Sequence, residues 1–222
     1  RGIGRAVCVR FAKEGAQIVA VSRTATELAE TKSLVEHAGG HCYVQPVDIT
    51  RTEQTQAMIQ EVARRFGRID VLVNAAGLAP LKSIDELTLE LFDNILAVNV
   101  RAMYLTCRAA WPALKASGGV IVNISSIASL DPFPGLAAYG ASKSWVNAWT
   151  RGLAEEGRPN RIRVFSIAPG AVETQMLRGA FPTYPKEETL DPADVADMVH
   201  AVAQPSCRYA TGQTIVVQRR GD

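Results

Sequence analysis

Tyr139 and Lys143, in the stretch SSIASLDPFPGLAAYGASK spanning 125–143, are the pair whose types and spacing could move a proton. Residues four apart on a helix stack on one face, about one turn apart. A phenol with pKa near 10 is only ~0.1% ionised at pH 7, and a neighbouring ammonium favours the phenolate. Lowering that pKa by about three units corresponds to roughly 4 kcal/mol, a demand that a partly buried site with a cation nearby can meet. Ser126 lies 13 positions before the tyrosine, at the end of an apolar run. Its hydroxyl could hold a substrate oxygen by a hydrogen bond while the tyrosine gives or takes the proton. Exposed Tyr–Lys pairs also decorate helices without doing chemistry, so the elements that carry these residues decide between the two meanings.

Those elements alternate between strand and helix. Short β-branched runs at 16–22, 41–49, 69–77, 118–126, 162–170 and 211–218 are expected as strands. Several are near-continuously apolar, as parallel strands covered on both faces require. Helical periods occupy 3–14, 24–38, 52–66, one long stretch from about 87 to 116, then 138–157 and 191–203. A doubly wound parallel sheet of the Rossmann-type α/β class, in a single domain, is the economical topology. Ser126 then falls at the C-terminal end of a strand, where such sheets bind ligands, and Tyr139 and Lys143 fall on the following helix. No linker, low-complexity segment or internal repeat marks a second domain.

The 222 residues are 47% hydrophobic, enough for one large α/β domain, and the formal net charge of +2 comes from scattered basic residues. That pattern points away from nucleic acid and from a membrane surface, and toward a small-molecule partner. Cys8, Cys42, Cys107 and Cys207 are far apart, with no C-x-x-C and no histidine cluster, so neither a disulfide framework nor a metal site is indicated. A reducing, cytoplasmic setting is expected. No apolar run approaches the ~18 residues of a membrane span, and the opening RGIGRAVCVRFAKEG reads as amphipathic rather than as a signal peptide. Arg1-Gly2-Ile3-Gly4 leads directly into a helix, although such a glycine-rich turn normally follows a strand that aims it. The first, central strand is therefore expected to be missing, making 1–222 a single dinucleotide-binding and catalytic domain, incomplete at its N-terminus.

Several separated motifs, in order and over essentially the whole chain, resemble those of the short-chain dehydrogenase/reductase family. RGIG (Arg1, Gly2, Ile3, Gly4) resembles the end of the family's T-G-x-x-x-G-x-G loop. VDIT (47–50) resembles the strand end whose aspartate, here Asp48 followed by Ile49, binds the adenine ring. NAAG (Asn74, Ala75, Ala76, Gly77) is similar to the family's sheet-stabilising and cofactor-contacting turn. In NILAVNV, Asn99 stands where the family has the asparagine that completes a catalytic tetrad with Ser126, Tyr139 and Lys143 by holding a water in a proton relay. PGAVET, with Pro169, Gly170, Val172 and Thr174, resembles the segment whose backbone and threonine contact the nicotinamide carboxamide. Simpler meanings stay open: Asp48 and Thr174 as helix caps, Asn74 as a turn residue, Asn99 as a hydrogen-bonder within a helix. Asn123 reads as structural without a role, and Trp111, Trp145 and Trp149 as core or subunit contact.

The resemblance implies hydride exchange between a nicotinamide cofactor and a carbonyl or secondary alcohol, with no metal. An NAD-specific fold wants an acidic residue at the end of the second strand for the ribose 2′-hydroxyl. VAVSRT (19–24) has Ser22 and Arg23 instead, a hydroxyl and a guanidinium suited to a 2′-phosphate, and Arg1 could bring a second positive charge. NADP(H) is therefore the expected cofactor, with NAD(H) and NAD-linked alcohol oxidation as the alternative. Gly77–Pro80, the LDPFPG turn (130–135) and the segment after Thr174 are expected to line a largely apolar pocket, suited to an uncharged or modestly polar carbonyl. The interval 175–191 looks shorter than the substrate loop of 3-oxoacyl-carrier-protein reductases, which implies a more open pocket. Members of the family commonly pair through two long helices, so a homo-oligomer, dimer or homotetramer, is expected. A dinucleotide-binding sensor without turnover is the alternative from another class, although a pure binder has no need of the phenol.

Overall fold

The computed structural model describes residues 1–219, so residues 220–222 of the expected domain lie outside the described residues. Strands and helices follow in the order α1 (Gly2–Ala12), β1 (Gln17–Ser22), α2 (Ala25–His37), β2 (His41–Pro46), α3 (Thr52–Phe66), β3 (Val71–Asn74), α4 (Leu89–Leu96) and α5 (Ala102–Ser117). They continue with β4 (Val120–Ile124), α6 (Ala137–Gly157), β5 (Arg163–Pro169), α7 (Gln175–Ala180), α8 (Pro192–Ala203) and β6 (Thr214–Val217). Each run expected as a strand contains one, trimmed at its ends. Every pairing is parallel: β1 beside β2, and β3, β4, β5 and β6 side by side in that order. This is a Rossmann-type α/β architecture with helices on both faces of the strands.

Alternation along the strands decides which helices cover which face. Val120, Val122 and Ile124 of β4, with Phe165 and Ile167 of β5, pack against Val7 of α1 and Val195 and Val199 of α8. The intervening Ile121 and Val164 point the other way, into Met58, Ile59 and Val62 of α3, Met103 and Leu114 of α5, and Val146 and Leu153 of α6. Val19 and Val21 of β1 and Leu72 of β3 lie against that second cluster, so the two sheets share one core. All of β4 is buried, as its unbroken apolar run requires. Each such Val or Ile stabilises the fold by about 1.5–3 kcal/mol, which fixes the strand end that carries Ser126.

Two departures bear on the site. The helix expected over 87–116 runs unbroken from 89 to 117, but its halves, α4 and α5, are joined by a π-helical turn at Ala97–Arg101 that contains Asn99. A hydrophobic period cannot report this, because the wide turn adds one residue while apolar spacing continues on either side. The short α7 was signalled only by the reading of Thr174 as a helix cap. It is six residues long and buries none of them, so it has no periodic stripe to read; Thr174 caps it by accepting from the Leu177 N–H at 3.2 Å. Among the described residues, no helix is long and apolar enough to cross a membrane.

Candidate active site

Strand β4 delivers Ile124, Ser125 and Ser126 to its C-terminal end, and Ser126, with φ −165° and ψ 154°, opens a tight 3-10 turn at Ile127–Ser129. Its Oγ accepts from the Ala128 N–H at 3.2 Å. The chain returns as α6, whose successive turns present Tyr139 and Lys143, with Lys143 Nζ 5.7 Å from the centre of the Tyr139 ring. Lys143 is 3% exposed and donates from Nζ to the Ile124 carbonyl at 2.8 Å. Burial pushes the Tyr139 phenol up, with the Ser126 hydroxyl beside it pulling the other way. Burial also brings Lys143 down to about 8. Desolvation thus outweighs whatever the neighbouring ammonium contributes, and favours the neutral form of both groups. At pH 7 the lysine is still predominantly in its charged form.

Asn99, 1% exposed, ties the loop after β3 to α6. Its Nδ2 donates to the Leu78 carbonyl at 3.0 Å and to Ser142 Oγ at 2.9 Å, and its Oδ1 accepts from the Leu78 N–H at 2.8 Å. The side chain is thus a strut whose amide groups are all in use. It places Gly77 so that a methyl group there would lie 3.6 Å from Lys143 Nζ, 3.8 Å from Asn99 Oδ1 and 3.8 Å from Met176 Cε. Asn74 anchors the same loop from below, accepting from Thr106 Oγ1 at 2.7 Å and donating to Asn123 Oδ1 at 2.9 Å. Asn123, which had no role in the sequence, carries that link on to Thr150 Oγ1 of α6 at 2.9 Å.

The remaining motifs converge from the other side. Gly2 has φ +55°, in the left-handed region that favours glycine, and a methyl there would lie 3.3 Å from Thr174 Cγ2. One at Gly4 would lie 3.4 Å from Ala75 Cβ. Ile3 packs into the core beneath, Ala76 is exposed, and the Gly170 N–H donates to Val217 at 2.8 Å just after Pro169 ends β5. Val172 pairs with Leu190, and its carbonyl accepts from Thr174 Oγ1 at 3.2 Å. RGIG, NAAG and PGAVET are therefore neighbours, and Gly77 of NAAG lies beside the lysine.

At the ends of β1 and β2 the expected residues are looser. Ser22 Oγ accepts from the Thr24 N–H at 3.2 Å, and Arg23 is exposed. The Arg1 guanidinium lies 3.3 Å from Glu27 and donates to Gln175 at 2.8 Å, rather than standing free beside Arg23. Asp48 Oδ1 accepts from the N–H and hydroxyl of Thr50 at 3.0 and 2.7 Å, while the Ile49 carbonyl accepts from Thr55 Oγ1 at 3.0 Å. Burial works to raise the Asp48 carboxyl, but the hydrogen bonds it accepts from Thr50, together with the charges of Arg23 and Arg51, outweigh it and hold the group below its ordinary value.

Leu81 packs against Gly135, whose carbonyl accepts from the Lys82 N–H at 2.8 Å, so the loop after NAAG and the LDPFPG turn close on one another. Met176 lies beside Gly77, and Leu130, Phe133 and Met176 of the expected segments are exposed together with Leu81, one residue beyond Gly77–Pro80, as an apolar rim. Three residues at the site were not singled out in the sequence: Met176, Ser142 and Asn147. Asn147 carried a readable signal, since it stands four residues beyond Lys143 and hence on the same stripe of α6.

The short chain dehydrogenase family model matches residues 1–185, and the chain belongs to that family. It is 35% identical over 176 residues to a 3beta-hydroxysteroid dehydrogenase of Mediterraneibacter gnavus, a match that covers 79% of this chain and 64% of that relative's length. To 2-(R)-hydroxypropyl-CoM dehydrogenase of Xanthobacter autotrophicus it is 34% identical, over 97% of this chain and 92% of the other. Among solved structures, 3-ketoacyl-(acyl-carrier-protein) reductase of Brucella melitensis complexed with NADH superposes with a TM-score of 0.89 at 31% identity, covering 98% of this chain and 92% of that one.

Proposed function

We propose that this chain reduces carbonyl compounds with NADPH, and oxidises the corresponding secondary alcohols with NADP+, using Tyr139 as the general acid and base. The observation that carries this is the buried Lys143 ammonium, bonded to the Ile124 carbonyl, 5.7 Å from the centre of the Tyr139 ring and 3.6 Å from where a methyl at Gly77 would lie. Three N–H donors sit on Nζ and the Ile124 bond uses one, which suits the hydroxyls of a nucleotide ribose. Glycines fit the same purpose, since side chains at Gly2 or Gly77 would fill the cradle between the motifs.

A bound nicotinamide would supply the hydride in reduction and, once oxidised, a positive ring charge. Gly2, Ile3 and Gly4 would offer the turn for the pyrophosphate, Asp48 and Ile49 the adenine contact, and Asn74–Gly77 the ribose face. Pro169, Gly170, Val172 and Thr174 would take the carboxamide, and Ser22 and Arg23 a 2′-phosphate. Ser126 Oγ holds the substrate oxygen, Tyr139 gives that oxygen its proton, and the Lys143 charge stabilises the phenolate left behind. Asn99 acts by holding Leu78, and with it Gly77, in place. The apolar rim favours an uncharged carbonyl. Trp145 and Trp149, stacked at 5.1 Å with Tyr104 edge-on at 6.1 Å, give α5 and α6 an aromatic surface suited to a second copy of the chain, which light scattering tests.

NAD(H) is the second reading, favoured by the commitment of Arg1 to Glu27 and by the NADH complex of the similar reductase. Fluorescence titration of the natural full-length chain with NADPH and NADH separates the two: 2′-phosphate-dependent binding supports the first, equal or NADH-favoured binding the second. Turnover of 4-nitrobenzaldehyde or ethyl acetoacetate, lost in Tyr139→Phe, supports the chemistry. Undiminished turnover in that variant would sink it, and nucleotide binding with no turnover at all would leave a binding module.

A further inference from the structure

A polar row crosses the sheet directly beneath the site. Asn74, Asn123, Ser166 and Thr214 are register partners on β3, β4, β5 and β6, so their side chains share one face. Asn123 reaches α6 at Thr150, and Ser166 reaches it at Asn147. The second link continues outward: Asn147 Nδ2 donates to Ser129 Oγ at 2.8 Å, and Ser129 Oγ donates to the Ser126 carbonyl at 2.6 Å. At its inner end Asn147 Oδ1 accepts from Ser166 Oγ at 3.2 Å, and Ser166, with no exposed surface, is bonded to Thr214 Oγ1 at 2.7 Å.

Resting on the reading of Ser126 and Tyr139 given above, we infer that Asn147 is a positioning residue that, through Ser129, holds Ser126 in register with Tyr139 and Lys143. Tyr139, Lys143 and Asn147 follow one another at four-residue intervals, so one face of α6 carries both the acid–base pair and the group that fixes their serine. An amide that is 5% exposed costs free energy to bury unless both of its ends are bonded, and here both are. A valine or leucine would fill the same space without that requirement. What the amide adds is direction: it connects the buried Ser166 of β5 to the carbonyl of the one residue whose hydroxyl must face the substrate oxygen. Two further bonds tie the same turn to α6, from Ser144 Oγ to the Ser129 carbonyl at 2.8 Å and from Ser125 Oγ to the Lys143 carbonyl at 3.2 Å. Neither of them touches Ser126 itself.

Steady-state kinetics on the natural full-length protein, with NADPH or NADH and 4-nitrobenzaldehyde or ethyl acetoacetate as probes, test this. Asn147→Ala and Ser129→Ala are each expected to lower kcat ~10-fold while the nucleotide KM changes less than about twofold, and Ser129→Thr to restore the rate. In a Ser126→Ala background neither change lowers kcat further, because both act through the serine. If Asn147→Ala fails to fold, Ser129→Ala at the partly exposed turn carries the test alone. A wild-type rate in Ser129→Ala, or losses that multiply with that of Ser126→Ala, would overturn the inference and leave the catalytic reading standing. An unchanged rate in Ser126→Ala, or turnover of neither probe with either nucleotide, would remove that reading and this inference together.

Discussion

The end of the site built on β4 and α6 and the end built on β1 and β2 are made of similar residue types under opposite conditions. At the first, Lys143, Asn99, Asn123 and Asn147 are all at most 5% exposed, and their polar atoms are bonded to strand ends and helix turns. At the second, Arg23 is exposed, the Arg1 side chain is 63% exposed, and Ser22 and Asp48 bond within their own loops. Proton transfer needs groups held within a fraction of an ångström in a low dielectric, where a charge is strong and its burial shifts pKa values. Recognition of a 2′-phosphate needs only a charge within reach, which water and salt weaken but do not misdirect. Substitutions at the buried end should therefore change both rate and stability, and those at the exposed end should change nucleotide binding with little effect on either.

The largest effect should come from Lys143→Met, with kcat lowered at least ~10²-fold. Stability should move the other way. Burial lowers this lysine from 10.5 to about 8, so the folded state bears the full cost of its charge below about pH 8 and sheds it as the pH rises toward 10.5. The variant should melt higher than wild type at pH 7, by the equivalent of ~1–2 kcal/mol once the lost bond to Ile124 is counted, and the difference should shrink toward pH 10. A lower melting temperature at pH 7 would show that the ammonium is better solvated than its surroundings suggest. Gly140→Ala comes next. A methyl at Gly140 would lie 2.7 Å from the Ala128 carbonyl, so the turn carrying Ser126 must move away from α6. The expected cost is ~1–3 kcal/mol of stability by chemical denaturation, with a fall in kcat that exceeds any change in nucleotide affinity. Equal losses in both would mean that the two ends are not separate.

At the exposed end, Arg23→Asp should lower the NADPH-to-NADH ratio of kcat/KM by ~10²-fold and leave the melting temperature within about 1 °C of wild type. An unchanged ratio would take Arg23 out of the 2′-phosphate site and turn attention to Arg1, which would first have to leave Glu27.

The same contrast explains what could be read before the structure. Strand runs such as VIVNI and the helix carrying Tyr139 and Lys143 were legible because burial on one or two faces writes a period into the sequence. The spacing of the serine, tyrosine and lysine was legible for the same reason, since a strand end and the next helix place them. Asn123 was seen but not understood: its partner Asn74 lies 49 residues away, and only strand register makes them neighbours. The π-helical turn at Asn99 was hidden inside continuous apolar spacing. The pKa directions could not be read at all. Spacing reports that Lys143 is near Tyr139, but burial, which the local pattern does not give, dominates both shifts.

Asp48→Asn should have the smallest effect and is the finest test of the contrast. Asparagine keeps an Oδ1 for the Thr50 N–H and hydroxyl, so the turn before α3 persists. What is lost is a charge facing Arg23 and Arg51, the latter 4.0 Å away and 72% exposed, a pair worth at most ~0.5 kcal/mol at such exposure. Because the Asp48 carboxyl is held below its ordinary value, its stabilising contribution is present above the unfolded-state value and disappears as pH falls through the folded one. Wild type and variant should thus differ slightly in melting temperature at pH 7, converge in acid, and converge also in about 0.5 M salt. If Asp48 makes the proposed adenine contact, nucleotide affinity should weaken a few-fold as that contact loses its charge, while kcat at saturating nucleotide stays at the wild-type value. A ~10-fold loss of kcat would mean that this surface carboxylate is coupled to the buried lysine, and the division between an adaptable end and a rigid one would fail.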